Sequence, residues 1–276
     1  MPPRALGIGA MAKNSGIAAG QPRRLEVDWL LAAVLSMTAG TVDVFGFLAL
    51  GGLFVAHITG NLVVLAAHYI TGGFSQTGAL MSVPVFIAVL GAVTWLSTNK
   101  ATHRTSRTLL ILHAVLLAGF FGLAVSLGPF TNPNGAIAVT VGMVGVAAMA
   151  TQNALVKLDL PGFPSTAVLT TNTVRLTIDL ATLLRSNGRP DEIARARRGA
   201  QMTFSAVAGF IAGCAAGGFL EVHFKLWALA LPVVLAVVAV PLGEYTLRAV
   251  EATEQASAVT IRAAKGHKTT ARLFCE

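Results

Sequence analysis

The sequence predicts an all-α fold: a polytopic membrane helix bundle with about six spans and two polar segments that are broken or re-entrant. Three observations support this prediction. Of the 276 residues, 54% are apolar and only 12% are charged, which is about half the charged fraction of an average soluble protein. The apolar residues form continuous runs, and a spanning helix needs about 20 such residues. These runs also lack the period-two alternation that is typical of strands in a membrane barrel.

Six long apolar runs follow one another along the chain, and each is predicted to be a spanning helix. They are Trp29–Leu50, Gly78–Thr98, Thr108–Leu127, Gly135–Leu155, Met202–Leu220 and Leu226–Leu247. A basic arm precedes the first run, and a polar tail follows the last one. The predicted division into arm, first membrane repeat, second membrane repeat and tail is 1–27, 28–127, 135–247 and 248–276.

Two further segments are apolar but carry polar residues near their centres. The first is Phe54–Tyr69 and the second is Ser165–Arg185. With a shift of 111 residues, the aligned pairs are Thr59 with Thr170, Asn61 with Asn172, and Leu65 with Leu176. Each half of the chain then contains one long helix, one polar segment and two more long helices. This pattern predicts an internal repeat.

The distribution of Lys and Arg indicates how the polar segments cross. If both segments enter and leave on one side, 18 of the 20 basic residues lie on the same side as the two termini. If both cross fully, five basic residues lie on the opposite side. Because basic residues collect in cytoplasmic loops, the first arrangement is preferred. Three spans per half would then invert the second repeat, as in many secondary transporters. Irregular backbone inside the membrane is expected at Thr59-Gly60-Asn61.

Two motifs carry a family resemblance. They are Ala39-Gly40-Thr41-Val42-Asp43 and Gly52-Leu53-Phe54-Val55-Ala56-His57-Ile58-Thr59-Gly60-Asn61. Together they resemble the YoaK-type family of uncharacterised bacterial multi-pass membrane proteins, and the resemblance covers roughly residues 28–247. It implies a protein of the bacterial inner membrane with about six spans, and it implies no activity. The charge distribution places both termini in the cytoplasm.

Polar residues of the first half are candidates for binding. Asp43 lies within a predicted span, and an acid there should face the protein interior. It could be a proton or cation site, or it could anchor the neighbouring broken segment. His57 and Asn61 are four residues apart, so in a helix both could contact one ligand. A packing role for His57 is the alternative.

The second half offers a matching set. Gln152 and Asn153 correspond in position to Asp43 and are predicted to line the same cavity. Arg175 and Asp179 are four residues apart and are expected to pair within their helix, whereas anion binding by Arg175 is the alternative. The candidate substrate- or ion-binding residues are therefore Asp43, His57, Thr59, Asn61, Gln152, Asn153, Thr170, Asn172, Arg175 and Asp179.

Other motifs limit the function. Gly209, Gly213 and Gly217 form a ridge of small residues that predicts close helix packing within the chain, with a homo-oligomer through the same ridge as the alternative. The sequence contains no phosphate-binding loop, no dinucleotide fingerprint and no hydrolase motif, so no cofactor and no catalytic residue is predicted. The spacing of His, Cys and acidic residues predicts no metal site. No pattern for nucleic-acid binding is present.

These observations favour a secondary transporter or permease-like protein for a small solute, with its site between the two repeats. Its expected partners are the lipid bilayer and that solute, and it is not expected to be an enzyme. The prediction rests on analogy with other proteins of this architecture. Two alternatives stay open: a membrane enzyme that uses Asp43 and His57 as acid and base, and a non-transporting scaffold or sensor.

Overall fold

The structure, a computed structural model, describes residues 21–71, 76–98, 103–160, 162–166, 168–185, 189–249 and 252. All regular secondary structure in these ranges is helical. The helices are α1 Gln21–Ala49, α2 Ile58–Thr71, α3 Thr77–Thr98, α4 His103–Leu127, α5 Ala136–Asp159, α6 Leu169–Leu184, α7 Pro190–Phe224, a 3-10 turn Lys225–Leu229, and α8 at 230–249. Most of the predicted basic arm and polar tail lies outside the described residues.

Five stretches of the described chain are long and apolar enough to cross a membrane. Four of them correspond to the first four predicted spans. The fifth, Pro190–Ala249, is 60 residues long and includes both of the last two predicted spans. Lys225 interrupts it with a φ of 53°, a left-handed conformation that an α-helix cannot continue through. The all-helical polytopic fold is therefore confirmed, and the fifth stretch contains two helices.

Helices α1 and α7 pack closely and run in the same direction. The facing pairs are Gly209 with Ala33, Gly213 with Met37, and Gly217 with Thr41. A methyl group on any of these glycines would meet the α1 backbone, so only glycine permits this close approach. The Thr41 hydroxyl also donates a hydrogen bond to the Gly213 carbonyl, at 3.2 Å. The small-residue ridge thus packs against α1 of the same chain, as the preferred interpretation predicts.

Helix α8 packs along α4 and runs antiparallel to it. Near its start, Leu226 of the 3-10 turn contacts Gly128, just beyond the end of α4. Near its end, Glu244 pairs with Arg107 in the first turns of α4, at 2.8 Å. The Thr246 hydroxyl near the end of α8 also donates to a carboxylate near the start of α1, at 2.9 Å. Because α7 runs in the same direction as α1, α7 and α8 run in opposite directions, and each is long enough for one crossing.

The other helices are arranged around α5 and α7. Helix α5 contacts both α3 and α4, α6 lies along α7, and α2 packs against α3. The Thr77 backbone N–H donates to the Asn134 side chain, at 3.1 Å, so α3 and α5 begin at the same end of the bundle. They therefore run in the same direction, as α1 and α7 do.

Each of the two short helices follows a non-helical stretch that turns back beside the preceding helix. Helix α1 ends at Ala49. Gly51 and Gly52 follow it with φ values of 67° and 86°, which favour glycine. The stretch 50–57 then returns along α1, and α2 begins at Ile58. The expectation of irregular backbone at Thr59-Gly60-Asn61 is wrong, because these residues form the first turn of α2. The irregular backbone lies one turn earlier, and side chains from the helices stabilise it.

Candidate functional site

Asp43 of α1 holds the non-helical stretch 50–57, the turn of the first half, against its own helix. Its side chain is buried, and residue exposure is only 3%. One carboxylate oxygen accepts the backbone N–H of Ala56 at 2.6 Å and that of His57 at 3.4 Å. The other oxygen is hydrogen-bonded to Nδ1 of the His57 ring. Asp43 therefore both anchors the returning chain and orients an imidazole.

Asn61 closes the same turn from inside α2. Its side-chain oxygen accepts the Phe54 N–H at 2.8 Å, and its amide donates to the Phe54 carbonyl at 2.7 Å and to the Ser82 hydroxyl at 2.8 Å. Asn61 is fully buried. Because buried backbone groups need partners, these bonds allow the non-helical stretch to lie inside the bundle. They engage both polar ends of the side chain.

Two glycines make room for this turn. A Cβ on Gly46 would lie 2.5 Å from the Leu53 carbonyl oxygen, and a Cβ on Gly60 would lie 2.9 Å from the Phe54 ring. Real Cβ atoms do not approach other atoms so closely. The glycines therefore let the returning chain pack directly against α1 on one side and α2 on the other.

The second half has a turn of the same kind between α5 and α6. The Gln152 amide donates to the Thr166 hydroxyl at 2.9 Å and to the Leu35 carbonyl of α1 at 3.1 Å. The Asn172 amide donates to the Ser165 carbonyl at 2.6 Å. The residue pairs Asn61–Phe54 and Asn172–Ser165 are both seven residues apart, and Asp43–His57 and Gln152–Thr166 are both 14 apart.

A cavity of about 570 Å³ opens beside the turn of the first half. Asp43, His57 and Thr59 line it together with aromatic and aliphatic side chains. Residues from the second half complete the wall: Leu169 at the start of α6, and Phe210 and Cys214 on α7. The cavity thus lies between the two halves, with one acid–imidazole pair in a largely apolar wall.

The remaining predicted residues lie elsewhere. Asn61, Gln152 and Asn172 are buried in the turns, and Asn153 donates to the Met149 carbonyl of its own helix at 2.9 Å. Thr170 is exposed on α6. The structure therefore brings together Asp43, His57 and Thr59 of the candidate set, and it separates them from the second-half candidates.

The expected pair of Arg175 and Asp179 does not form. Among the ion pairs of the described residues none joins these two side chains. Asp179 instead faces α7, where its carboxylate contacts the backbone at Gly199. Helix spacing brings the two residues onto one face, but packing of α6 against α7 turns the acid away. Arg175 is exposed and lines a separate cavity.

Several cavity residues were not predicted from the sequence. Phe210 lies with its ring centroid 5.1 Å from that of His57, in an edge-on arrangement. Cys214 lies one turn later on α7 and borders the same cavity. The signal that could have found both was the glycine ridge, because a helix that packs so closely on α1 brings its neighbouring side chains to Asp43.

The class of protein follows from these features. Five long apolar stretches, large apolar side chains on the outside and polar side chains within define a polytopic helical membrane protein. The chain belongs to the family of proteins of unknown function DUF1275, which matches residues 31–242. Comparison with curated proteins finds no match, and comparison with solved structures finds none either.

Proposed function

We propose that the protein is a secondary transporter for a small solute, with its binding site in the cavity beside Asp43 and His57. The observation that carries the proposal is the composition of this cavity. It joins an acid–imidazole pair of the first half to α6 and α7 of the second half. Alternating access places a binding site between two halves that move relative to each other, and an intramembrane acid–imidazole pair would supply the proton-binding group there.

The helix contacts support an inverted repeat of α1–α4 and α5–α8. Helix α1 packs on α7, and α5 packs on α3, in both cases with parallel direction. In each pair, the first helix of one half meets the third helix of the other half. Each half also has one side-chain hydrogen bond across seven residues and one across 14 residues, which fits a repeat of the same structure. Inverted repeats with broken segments are the basis of alternating access in many transporters.

The proposed location is the bacterial inner membrane, with both termini in the cytoplasm. The motif resemblance to the YoaK-type family favours this membrane. The ends of the helices favour this orientation, because Arg107, Lys157, Arg189 and Arg248 lie at the end of the bundle where α1 begins. Lys225 lies at the opposite end. A basic excess on one side is typical of the cytoplasmic face.

Cys214 provides a test that needs no knowledge of the solute. In a Cys275→Ser background, a membrane-impermeant maleimide is applied to right-side-out and to inverted membrane vesicles. Alternating access predicts that Cys214 is labelled from both faces, because the cavity opens to each in turn. Asp43→Asn should shift the ratio of the two rates by roughly tenfold, since about 1.4 kcal/mol of bias toward one state has this effect.

Asp191→Asn is the matched control, because it also replaces an acid by its amide but lies at the exposed start of α7. Its labelling ratio should equal that of the parent protein. Labelling of Cys214 from one face alone, in the parent and in both variants, would contradict alternating access. In that case the transporter proposal would fail.

A membrane enzyme is the second candidate, and one observation favours it. The His57 ring is oriented by a buried carboxylate and borders a cavity, an arrangement typical of general acid–base catalysis. This function predicts turnover in detergent without any gradient. Purified protein would be incubated with extracted membrane lipids, and new products would be followed by mass spectrometry. His57→Gln should abolish such products, whereas His68→Gln, a change outside the cavity, should not.

A further inference from the structure

A second cavity lies at the junction of α6 and α7, apart from the proposed transport site. Its volume is about 510 Å³. Three arginines line it: Arg175 from α6, and Arg195 and Arg198 from successive turns of α7. Gly199 and Gly162 leave part of the wall without side chains. The cavity is therefore open, lined on two helices, and strongly basic.

The three guanidinium groups have no acidic partner in the described part of the chain. The ion pairs of the described residues involve other cations. Asp191 lines the same cavity but lies beyond ion-pair distance of these arginines, and Asp179 contacts Gly199 instead. Three like charges around one space repel one another, and a bound anion would remove this repulsion.

The position along α7 brings the cavity to the level of lipid headgroups. Gly209 faces Ala33 of α1, and the apolar stretch of α1 begins six residues earlier, at Val27. Arg198 precedes Gly209 by 11 residues. At 1.5 Å per residue, Arg198 therefore lies about 8 Å outside the start of the apolar stretch. This distance corresponds to the headgroup layer of a bilayer.

We propose that this cavity binds the phosphate group of an anionic ligand through Arg175, Arg195 and Arg198. The planar guanidinium forms two parallel hydrogen bonds to phosphate oxygens, which makes arginine the preferred residue for such groups. The phosphate can belong to a phospholipid headgroup or to a soluble phosphate compound, because both present the same oxygens. The proposal does not depend on transport.

The test uses the full chain purified in detergent, with calorimetric titration of three probes. These are inorganic phosphate, dioctanoyl phosphatidylglycerol, and dioctanoyl phosphatidylcholine as the zwitterionic control with the same chains. The expected result is saturable binding of at least one anionic probe and much weaker binding of phosphatidylcholine. Each of Arg175→Gln, Arg195→Gln and Arg198→Gln should weaken binding by roughly tenfold or more, the effect of losing one charge-assisted contact.

Arg197→Gln is the matched control, because Arg197 is exposed on the same turns of α7 but does not line the cavity. This substitution removes one positive charge, as Arg198→Gln does. If the anion binds in the cavity and not to general surface charge, the Kd of Arg197→Gln should stay within about twofold of the parent value. Arg198→Lys adds a second comparison, since lysine keeps the charge but loses the two-bond geometry. We expect its binding to fall between that of the parent and that of Arg198→Gln.

The three probes distinguish the possible sources of the phosphate group. Binding of phosphatidylglycerol without competition from inorganic phosphate assigns the cavity to a lipid headgroup. Binding of inorganic phosphate that displaces the lipid assigns it to the phosphate group itself. Equal weakening by Arg197→Gln and Arg198→Gln would indicate a general effect of surface charge and would overturn the proposal, as would the absence of saturable binding for every anionic probe.

Discussion

The turn before α2 and the turn before α6 solve the same structural problem with different chemistry. Each brings a non-helical stretch back beside a long helix, and each is closed by an asparagine seven residues beyond its partner. The anchor in the first turn is the pair of Asp43 and His57, whereas the second turn uses Gln152 and Thr166. A neutral amide and a hydroxyl are therefore sufficient to hold such a turn.

This difference indicates what the charged pair contributes. Burial of a carboxylate is costly unless it is paired and hydrogen-bonded, and the second half avoids that cost. The two anchors also differ in their surroundings: Asp43 and His57 border the cavity, but Gln152 and Thr166 are buried. The charge in the first half exceeds what the turn needs, which is our reason for locating function there.

The largest effect on stability is expected when the anchor of each turn is removed in a separate variant. Asp43→Ala leaves two backbone N–H groups and an imidazole without their acceptor, so we expect the free energy of unfolding to fall by about 3 kcal/mol or more. Gln152→Ala removes neutral bonds and should cost about 1–2 kcal/mol. Denaturation of the purified protein in mixed micelles measures both. Equal losses would show that the charged anchor is no stronger than the neutral one.

The two asparagines give the next comparison. Asn61 makes three side-chain hydrogen bonds, to Phe54 and Ser82, whereas Asn172 makes one within the residues that the structure describes, to Ser165. Asn61→Ala should therefore lower the free energy of unfolding by about 2–3 kcal/mol, and Asn172→Ala by about 1 kcal/mol. The same denaturation measurement applies. A larger loss for Asn172→Ala would contradict the contacts described for these turns.

The smallest difference concerns Gly60 and Thr171, which align with the shift of 111 residues. Gly60→Ala places a methyl group against the Phe54 ring, and overpacking of this kind costs about 1 kcal/mol. Thr171 is exposed, so Thr171→Ala should change stability by less than about 0.5 kcal/mol. The shift in thermal unfolding midpoint of each variant tests this expectation. A neutral Gly60→Ala would mean that the Phe54 ring moves freely.

Hydropathy was sufficient to predict the long helices, because each apolar run of this chain is long enough for one span. Hydropathy could not locate the non-helical stretches that precede α2 and α6. The residues that permit them, Gly46 and Asn61, act through close contacts and individual hydrogen bonds that leave no trace in an apolar average. A glycine between two polar residues predicts irregular backbone at Thr59-Gly60-Asn61, which is one turn too late.

The candidate site was predicted in part. Asp43 and His57 were both selected from the sequence, but their contact was not, because His57 precedes α2 and therefore does not share its helical spacing. Phe210 and Cys214 come from a helix more than 150 residues further along the chain. The pairing of Arg175 with Asp179 failed for a related reason: spacing within one helix does not show which neighbour that helix will meet.

The close packing of α1 on α7 has a consequence for biosynthesis. Thr41 and its partner Gly213 are 172 residues apart. At a synthesis rate of about 5–20 residues per second, α1 waits about 10–35 s for α7 to emerge. The partners of Asp43 are only 13 and 14 residues away and follow within about 1–3 s. Helix α1 can therefore enter the bilayer with the Asp43 carboxylate already hydrogen-bonded to the chain that directly follows the helix. The interface with α7, which will cover α1, forms much later.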